Sequence, residues 1–454
     1  MALLVVSPLP AASTDDWAVL IIELAAIALT AVYVLLGRPA PDSGGPSAKL
    51  RRLKYVLAGL VLWVGFQLLP LPVFLLRWLS PRAVSLRQEF SPRFGQAKFL
   101  SLSLVPSATL REALELLSYF LIGFLVIKTI THRRQIRRMM TVLVAMGVFE
   151  AVYGLYELSQ KNPRVLFYKK VFNLDSASGT FINRNHFSGY LELILPLAIG
   201  LLISRVDFFG PPGRKWRDRL AQATGKDAFL NLLLLIGLAV ISLGIVQSHS
   251  RSGIFLLLLA VIVFLEMAAF HLSLARHRQA WVRKILVGSF LLVTAFALYI
   301  GVESMVGRFS LDNLLHDGRP RLWSNVLAIV RDFPIAGTGL GTFASVFPVY
   351  ETITFEGMAL VHAHNDYLEF LSELGLIGFL LLAGAVLWIA LGSFLAWFKR
   401  RNPEVKGLAL GGIIAVFLML IHSLTDFNLH IPANLLLFAV VLSLTHVTVY
   451  HGKS

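Results

Sequence analysis

The chain contains no cysteine, which removes disulfides, thiolate metal sites and cysteine nucleophiles from consideration. Charge is scarce as well: Asp, Glu, Lys and Arg make up 15% of the 454 residues, against 56% hydrophobic ones, and mean hydropathy is +0.72. Soluble domains of this length are far more polar, so the composition describes a polytopic membrane protein. No basic soluble segment exists to carry nucleic acid, which is therefore not an expected partner. A basic n-region is also missing, and Pro8 and Pro10 interrupt residues 1–13, so the first apolar run reads as an uncleaved address. No internal repeat is evident, which disfavours inverted-repeat transporters.

What is abundant is apolar sequence in lengths of about 17–25 residues, enough to cross a bilayer as helix. Such runs occur at 17–36, 53–69, 113–130, 139–158, 187–204, 229–247, 253–270, 285–301, 376–398, 407–424 and 433–450. The expected fold is all-α, with about 11–12 transmembrane helices. Residues 71–79 are too short to span and are flanked by prolines, which suits an interfacial or re-entrant turn. The chain divides into N-terminal membrane helices (1–300), a large polar loop (301–375) and C-terminal membrane helices (376–454).

Positive charge orients the spans. Short connections around Arg51, Arg52 and Lys54, then Arg133–Arg138, Arg214–Lys226, Arg276–Lys284 and Lys399–Lys406 are densely basic, hence cytoplasmic. The alternate connections fall outside. They nevertheless keep Arg184, Arg251, Arg319 and Arg321, and basic residues retained on that side invite an anionic ligand.

Polar chemistry concentrates in VHAHNDYLEFLSELGLIG at 361–378. Asp366 and Glu369 read as a helix N-cap with its capping box, and Gly375 as a helix stop. His364 would then precede a short helix on the outer face, where a neutral imidazole can accept a proton. His362 and Asn365 flank it. Arg184 stands in GTFINRNHFSGYLE beside His186, Arg251 in QSHSRSG, and Arg319 and Arg321 in DGRPRLW. The last precedes an amphipathic stretch (Leu322, Val326, Ile329, Val330) that suits an interfacial helix. Guanidinium forks bind phosphate oxygens bidentately, so three arginine sites at lipid boundaries fit a diphosphate at headgroup depth. GTGLGTF (337–343) lacks the Lys-Ser/Thr of a P-loop; it reads as tight turns or as a backbone phosphate nest. No histidine spacing such as HExxH occurs, so no metal and no cofactor are expected. Asp426, Asn428 and His430 read as a polar turn between the last two spans, or as the lining of an acceptor cleft.

HNDYLEFLSELGLIG, DGRPRLWSNVLAIVRDFPIAGTGLGTF, HSRSG and TFINRNHFSGYLELILPLAI together resemble the O-antigen ligase and O-antigen polymerase superfamily. The likeness runs over roughly residues 179–378. It implies a metal-independent, GT-C-like, inverting glycosyltransferase of the bacterial inner membrane, with its site facing the periplasm. The donor would be an undecaprenyl-pyrophosphate-linked glycan, and the acceptor a sugar or lipid-linked glycan among membrane lipids. A chain-length regulator is a possible partner. Carried over, His364 would be the general base and Arg184, Arg251 and Arg319 would hold the pyrophosphate. Arg321 is a candidate by proximity alone, and Asn365, His186 and His362 would support. The outer basic residues lean toward a polymerase. The alternatives are a ligase acting on lipid A core, and a flippase or transporter of lipid-linked sugars.

Overall fold

The computed structural model describes residues 1–36, 47–90, 96–205, 228–273, 319–352 and 360–451. The predicted span at 285–301 and the first part of the large loop lie outside these residues. Every other predicted apolar run is helical. The chain order is α1 (Ala2–Val6), α2 (Asp16–Leu35), α3 (Ser47–Leu68), α4 (Val73–Leu79), α5 (Pro81–Phe90), α6 (Pro106–Thr129) and α7 (Arg133–Leu158). Then follow α8 (Arg184–Arg205), α9 (Ala228–Gln247), α10 (Arg251–Ser273), α11 (Arg319–Asp332), α12 (Phe343–Tyr350), α13 (Asp366–Phe398), α14 (Pro403–His422) and α15 (Pro432–His451). Among the described residues, seven helices are long and apolar enough to cross a membrane: α2, α7, α8, α9, α13, α14 and α15. The fold is all-α apart from two short antiparallel strand pairs, Pro70–Pro72 with Phe99–Ser101 and Arg164–Val165 with Tyr168–Lys169. The first pair corrects the turn expected at 71–79: the chain makes a short strand, then α4.

Burial sorts the helices. The apolar windows of α8, α14 and α15 are 78%, 78% and 83% buried, whereas those of α2 and α13 are only 22% buried. A helix apolar on all sides must be surrounded, and α8, α14 and α15 form that centre. Gly200 on α8 meets Gly407 and Gly411 on α14, and the missing side chains let the two backbones touch, as small residues do between membrane helices. Leu20, Leu24 and Ile27 on α2, and Leu380, Leu391 and Leu395 on α13, point outward, as lipid-facing surfaces require.

The two ends of the bundle differ. Arg133 and Arg137 at the start of α7 reach Glu404 at the start of α14, at 3.9 and 3.0 Å. This is the end that carries the densely basic connections. The opposite end of α14 leads into residues 423–431, and there the candidate site lies.

Helix α11 corrects a second expectation. Its apolar face is not left for the membrane surface: Leu322, Val326 and Ile329 are buried against Phe333, Phe343, Val346, Phe347, Ala363 and, from α5, Ala83 and Leu86. The helices 319–350 thus form a small protein core beside the bundle. Trp323 Nε1 donates to Ala363 O at 3.1 Å, which fastens this core to the segment that carries His364.

Gly375 breaks α13 with φ +62° and ψ −178°, a conformation essentially confined to glycine. Residues 372–375 are buried, and a break there frees carbonyls that must find donors. Here Ser372 O accepts from Thr338 N (3.0 Å), Glu373 O from Gly339 N (2.9 Å) and Gln67 Nε2 (2.9 Å), and Leu374 O from Trp63 Nε1 (2.9 Å). The Glu373 carboxylate accepts from Gly341 N and Phe343 N, each at 2.8 Å. GTGLGTF is therefore a nest for the chain's own carboxylate, and the alternative of a phosphate nest is corrected.

Candidate active site

Residues 360–365 lead into α13. Its cap is Asn365, whose Oδ1 accepts from Leu368 N at 3.1 Å, not the expected pairing of Asp366 with Glu369. Asn365 Nδ2 also donates to Leu424 O at 2.9 Å, tying this loop to the segment after α14. Asp366 is thereby released for other contacts, and its backbone N–H reaches Ser423 O at 2.9 Å. His364 stands immediately before the cap with φ +50°, a left-handed conformation uncommon for any residue but glycine. Such strain persists where the surroundings over-determine it, often at functional sites.

Those surroundings centre on Asp426, whose side chain is 1% exposed. Its Oδ1 lies 3.2 Å from His364 Nδ1 and accepts from Phe427 N at 2.9 Å. Its Oδ2 accepts from Asn185 Nδ2 at 2.7 Å and stands 3.8 Å from the Arg319 guanidinium. His186 Nε2 faces Oδ1 at 3.6 Å, an electrostatic contact rather than a hydrogen bond. Burial alone would raise this carboxyl's pKa, but the His186 and His364 imidazoles around it hold it well below the usual carboxylate range. Asp426 is thus a fixed negative charge at neutral pH.

Two of the four principal candidates meet on Asp426, and the other two lie beside residues that contact it or its neighbour Thr425. His364 and Arg319 touch Asp426 directly. Arg184 opens α8, so its neighbours Asn185 and His186 supply the contacts to Asp426, while its own guanidinium lies 3.9 Å from Asp175. Arg251 opens α10 after His249, which is also left-handed at φ +53°. The next residue, Ser252, shares a 2.9 Å hydrogen bond with Thr425. Arg321 does not join them. It is exposed, because residues two apart on a helix point to nearly opposite sides, and α11 turns Arg319 toward the site.

Phe427 is a residue that sequence reasoning passed over. Its ring lies edge-on to His186 (4.4 Å) and His364 (4.8 Å) and is stacked with His362 (4.3 Å between centroids). It separates three imidazoles and fixes their planes. His362 turns away from the reacting side: its Nδ1 is 2.7 Å from Glu369 Oε1. With His430, these two side chains bring ligand atoms within 4.8 Å of one another, a set of donors able to hold a cation despite the absence of HExxH.

Chemically, a carboxylate behind Nδ1 of His364 orients the imidazole and leaves Nε2 for a substrate. The His364 side chain is 27% exposed, hence reachable. The Arg319 guanidinium stands 3.8 Å from the same carboxylate, so the site pairs a proton acceptor with a neighbouring positive charge.

Comparison with known proteins bears on the same residues. Residues 236–383 match the O-antigen ligase family, a stretch that holds Arg251, Arg319 and His364 and excludes Arg184 and Asp426. The chain is also similar to the exopolysaccharide production protein ExoQ of Rhizobium meliloti (strain 1021), at 23% identity over 342 residues, covering 73% of this chain and 69% of the relative.

Proposed function

This chain is a member of the O-antigen ligase and O-antigen polymerase superfamily, and from that premise we propose that it transfers a glycan from undecaprenyl pyrophosphate to a sugar hydroxyl at the periplasmic face of the bacterial inner membrane. The observation that carries this reading is the meeting of His364 and Arg319 on one buried carboxylate, Asp426. Transfer needs a proton acceptor for a weak nucleophile and positive charge for a leaving diphosphate, and both occur here.

In the proposed step the acceptor hydroxyl oxygen attacks the anomeric carbon while its proton passes to His364 Nε2. The bond from that carbon to the diphosphate oxygen breaks, and undecaprenyl pyrophosphate leaves with the electron pair. Attack opposite the leaving group inverts the anomeric centre. Arg184, Arg251 and Arg319 meet the developing charge in place of a divalent ion. Asp426 stabilises the imidazolium that forms and keeps the ring in register.

Polymerisation, with a second lipid-linked unit as acceptor, is the reading we favour. Support comes from the basic residues on the outer connections and from the similarity to a protein named for exopolysaccharide production. A ligase reading is favoured by the family description itself. The deciding experiment offers purified protein an undecaprenyl-pyrophosphate glycan with lipid A core or lipid-linked repeat as separate acceptors and no added divalent cation. Transfer to one acceptor, abolished by His364→Ala, is expected. Saturable donor binding without turnover on either acceptor would sink the transferase reading in favour of transport.

A further inference from the structure

The loop before α13 and the turn after Asp426 meet a second time, behind the reacting groups. There His362, Glu369 and His430 offer one nitrogen or oxygen each, all within 4.8 Å of one another. Ordinary polar packing would satisfy each of these atoms, and it does not. His430 Nδ1 lies 2.7 Å from Asp366 Oδ1, while its Nε2 is buried without a hydrogen-bond partner and faces Glu369 Oε1 at 3.6 Å. The His430 side chain is only 6% exposed, so bulk solvent does not reach that nitrogen. A carboxylate on the remote nitrogen of a histidine is the arrangement that orients an imidazole toward a metal.

Glu369 is prepared in the same way. Its Oε2 accepts from Ala363 N at 2.7 Å, which leaves Oε1 directed at both histidines. Aromatic rings wall the place off: Phe370 stacks on His430 at 4.4 Å and Phe427 on His362 at 4.3 Å. A dry collar of this kind strengthens ligand–cation interactions.

We propose that His362, Glu369 and His430 form a site for a divalent cation of borderline softness, zinc in first place, which clamps the 360–365 loop to the 428–430 turn. Two imidazole nitrogens and one carboxylate oxygen are a zinc donor set, with a fourth position for water. His362, 26% exposed, marks the open side. Zinc bonds of about 2.0–2.2 Å place donors roughly 3.3 Å apart. The donors, now within 4.8 Å of one another, would draw together on binding, while the 2.7 Å His362–Glu369 contact opens slightly. The competing occupant is a proton. Burial disfavours the imidazolium, but Glu369 and Asp366 outweigh it and push the His430 pKa up, so zinc must displace a proton to bind. The cation would hold the loop two residues from His364 and take no part in bond making. The inference goes beyond the transferase reading and does not depend on it.

The test uses the full-length chain in detergent, free of affinity histidines, stripped with chelator and dialysed at pH 7 against micromolar free zinc or cobalt. About one equivalent is expected to remain bound, with the visible bands of four-coordinate cobalt and a rise in unfolding temperature. Glu369→Gln and His430→Gln should each weaken retention at least tenfold while eluting as the parent does. His362→Gln, at the half-exposed ligand, gives the same reading should either of those fail to fold. No saturable uptake by folded parent protein would show that the proton holds the site, and an equivalent retained by all three variants would place it elsewhere; either result overturns the proposal.

Discussion

Asp426 Oδ1 stands 3.2 Å from His364 Nδ1 across sixty-two residues of chain, and it does so from a position almost wholly shielded from solvent. A carboxylate so placed cannot itself reach a substrate hydroxyl. Its contribution is to orient His364 and to stabilise positive charge on it, so the pair should fail together. Replacing Asp426 with asparagine keeps the shape but removes the charge. Turnover should fall by roughly 10²–10⁴-fold, the range typical of losing a positioned acid–base group, with little further loss when the change is added to His364→Ala. Steady-state rates of the two single variants and the double variant check this; fully multiplicative losses would argue that the residues act separately.

Arg319 and Arg321 are two residues apart and should behave differently. Arg319 faces Asp426 at 3.8 Å, whereas Arg321 points to solvent. Arg319→Ala should therefore weaken donor use by at least tenfold, and Arg319→Lys should restore only part of it, since an ammonium lacks the planar fork. Arg321→Ala should remain within about threefold of the parent, as a surface substitution away from such contacts does. Donor titrations on the three variants decide the matter, and equal losses at 319 and 321 would count against the orientation of α11.

How much of this could be read from the chain follows from what each feature depends on. Twenty-residue apolar runs announce themselves, so the spans were legible, as was the break at Gly375. His364 was legible because it sits in a dense polar cluster at the start of a span. Asp426 was not: nothing local distinguishes a polar turn from a buried hub, and its partners come from α8, α11 and the loop before α13. One signal was available. It is a lone carboxylate between two apolar helices, where an ionised group is costly unless partnered. The separate fates of Arg319 and Arg321 depended on which face of α11 is buried, and spacing alone does not fix that face. The cap shifted from Asp366 to Asn365 because Asp366 is drawn to Leu429 N (3.1 Å) and His430 (2.7 Å), contacts that arise only in the fold.

The pH response of stability should carry the signature of Asp426. Its pKa in the fold is depressed, and in the unfolded chain it is about 3.9. A depressed acid contributes stability that is fully present above its unfolded pKa and is lost as pH falls through the folded one. The difference in unfolding temperature between parent and Asp426→Asn should be present at about pH 5 and shrink as pH falls below about 4. Thermal unfolding in detergent from about pH 5 downward measures it; a difference absent at about pH 5 that grew only below about pH 4 would contradict the charge assigned to this residue.

The break in α13 offers the sharpest structural test. Gly375 sits at φ +62°, and a side chain there would run into the Ile335 carbonyl oxygen and the backbone of Gly337. Alanine must therefore either adopt a disfavoured backbone conformation, at about 1–3 kcal/mol, or straighten the helix. Straightening withdraws the carbonyls of residues 372–374 from Thr338, Gly339, Gln67 and Trp63, leaving buried donors unmatched at about 1–3 kcal/mol each. Both routes destabilise, and the second also releases the GTGLGTF turn from Glu373. Gly375→Ala should consequently lower the unfolding temperature by several degrees and reduce turnover, whereas alanine at Gly384, where open space surrounds the backbone, should do neither. If the two variants melted alike, the break would be a passive bend rather than the joint that holds the 337–343 turn against α13.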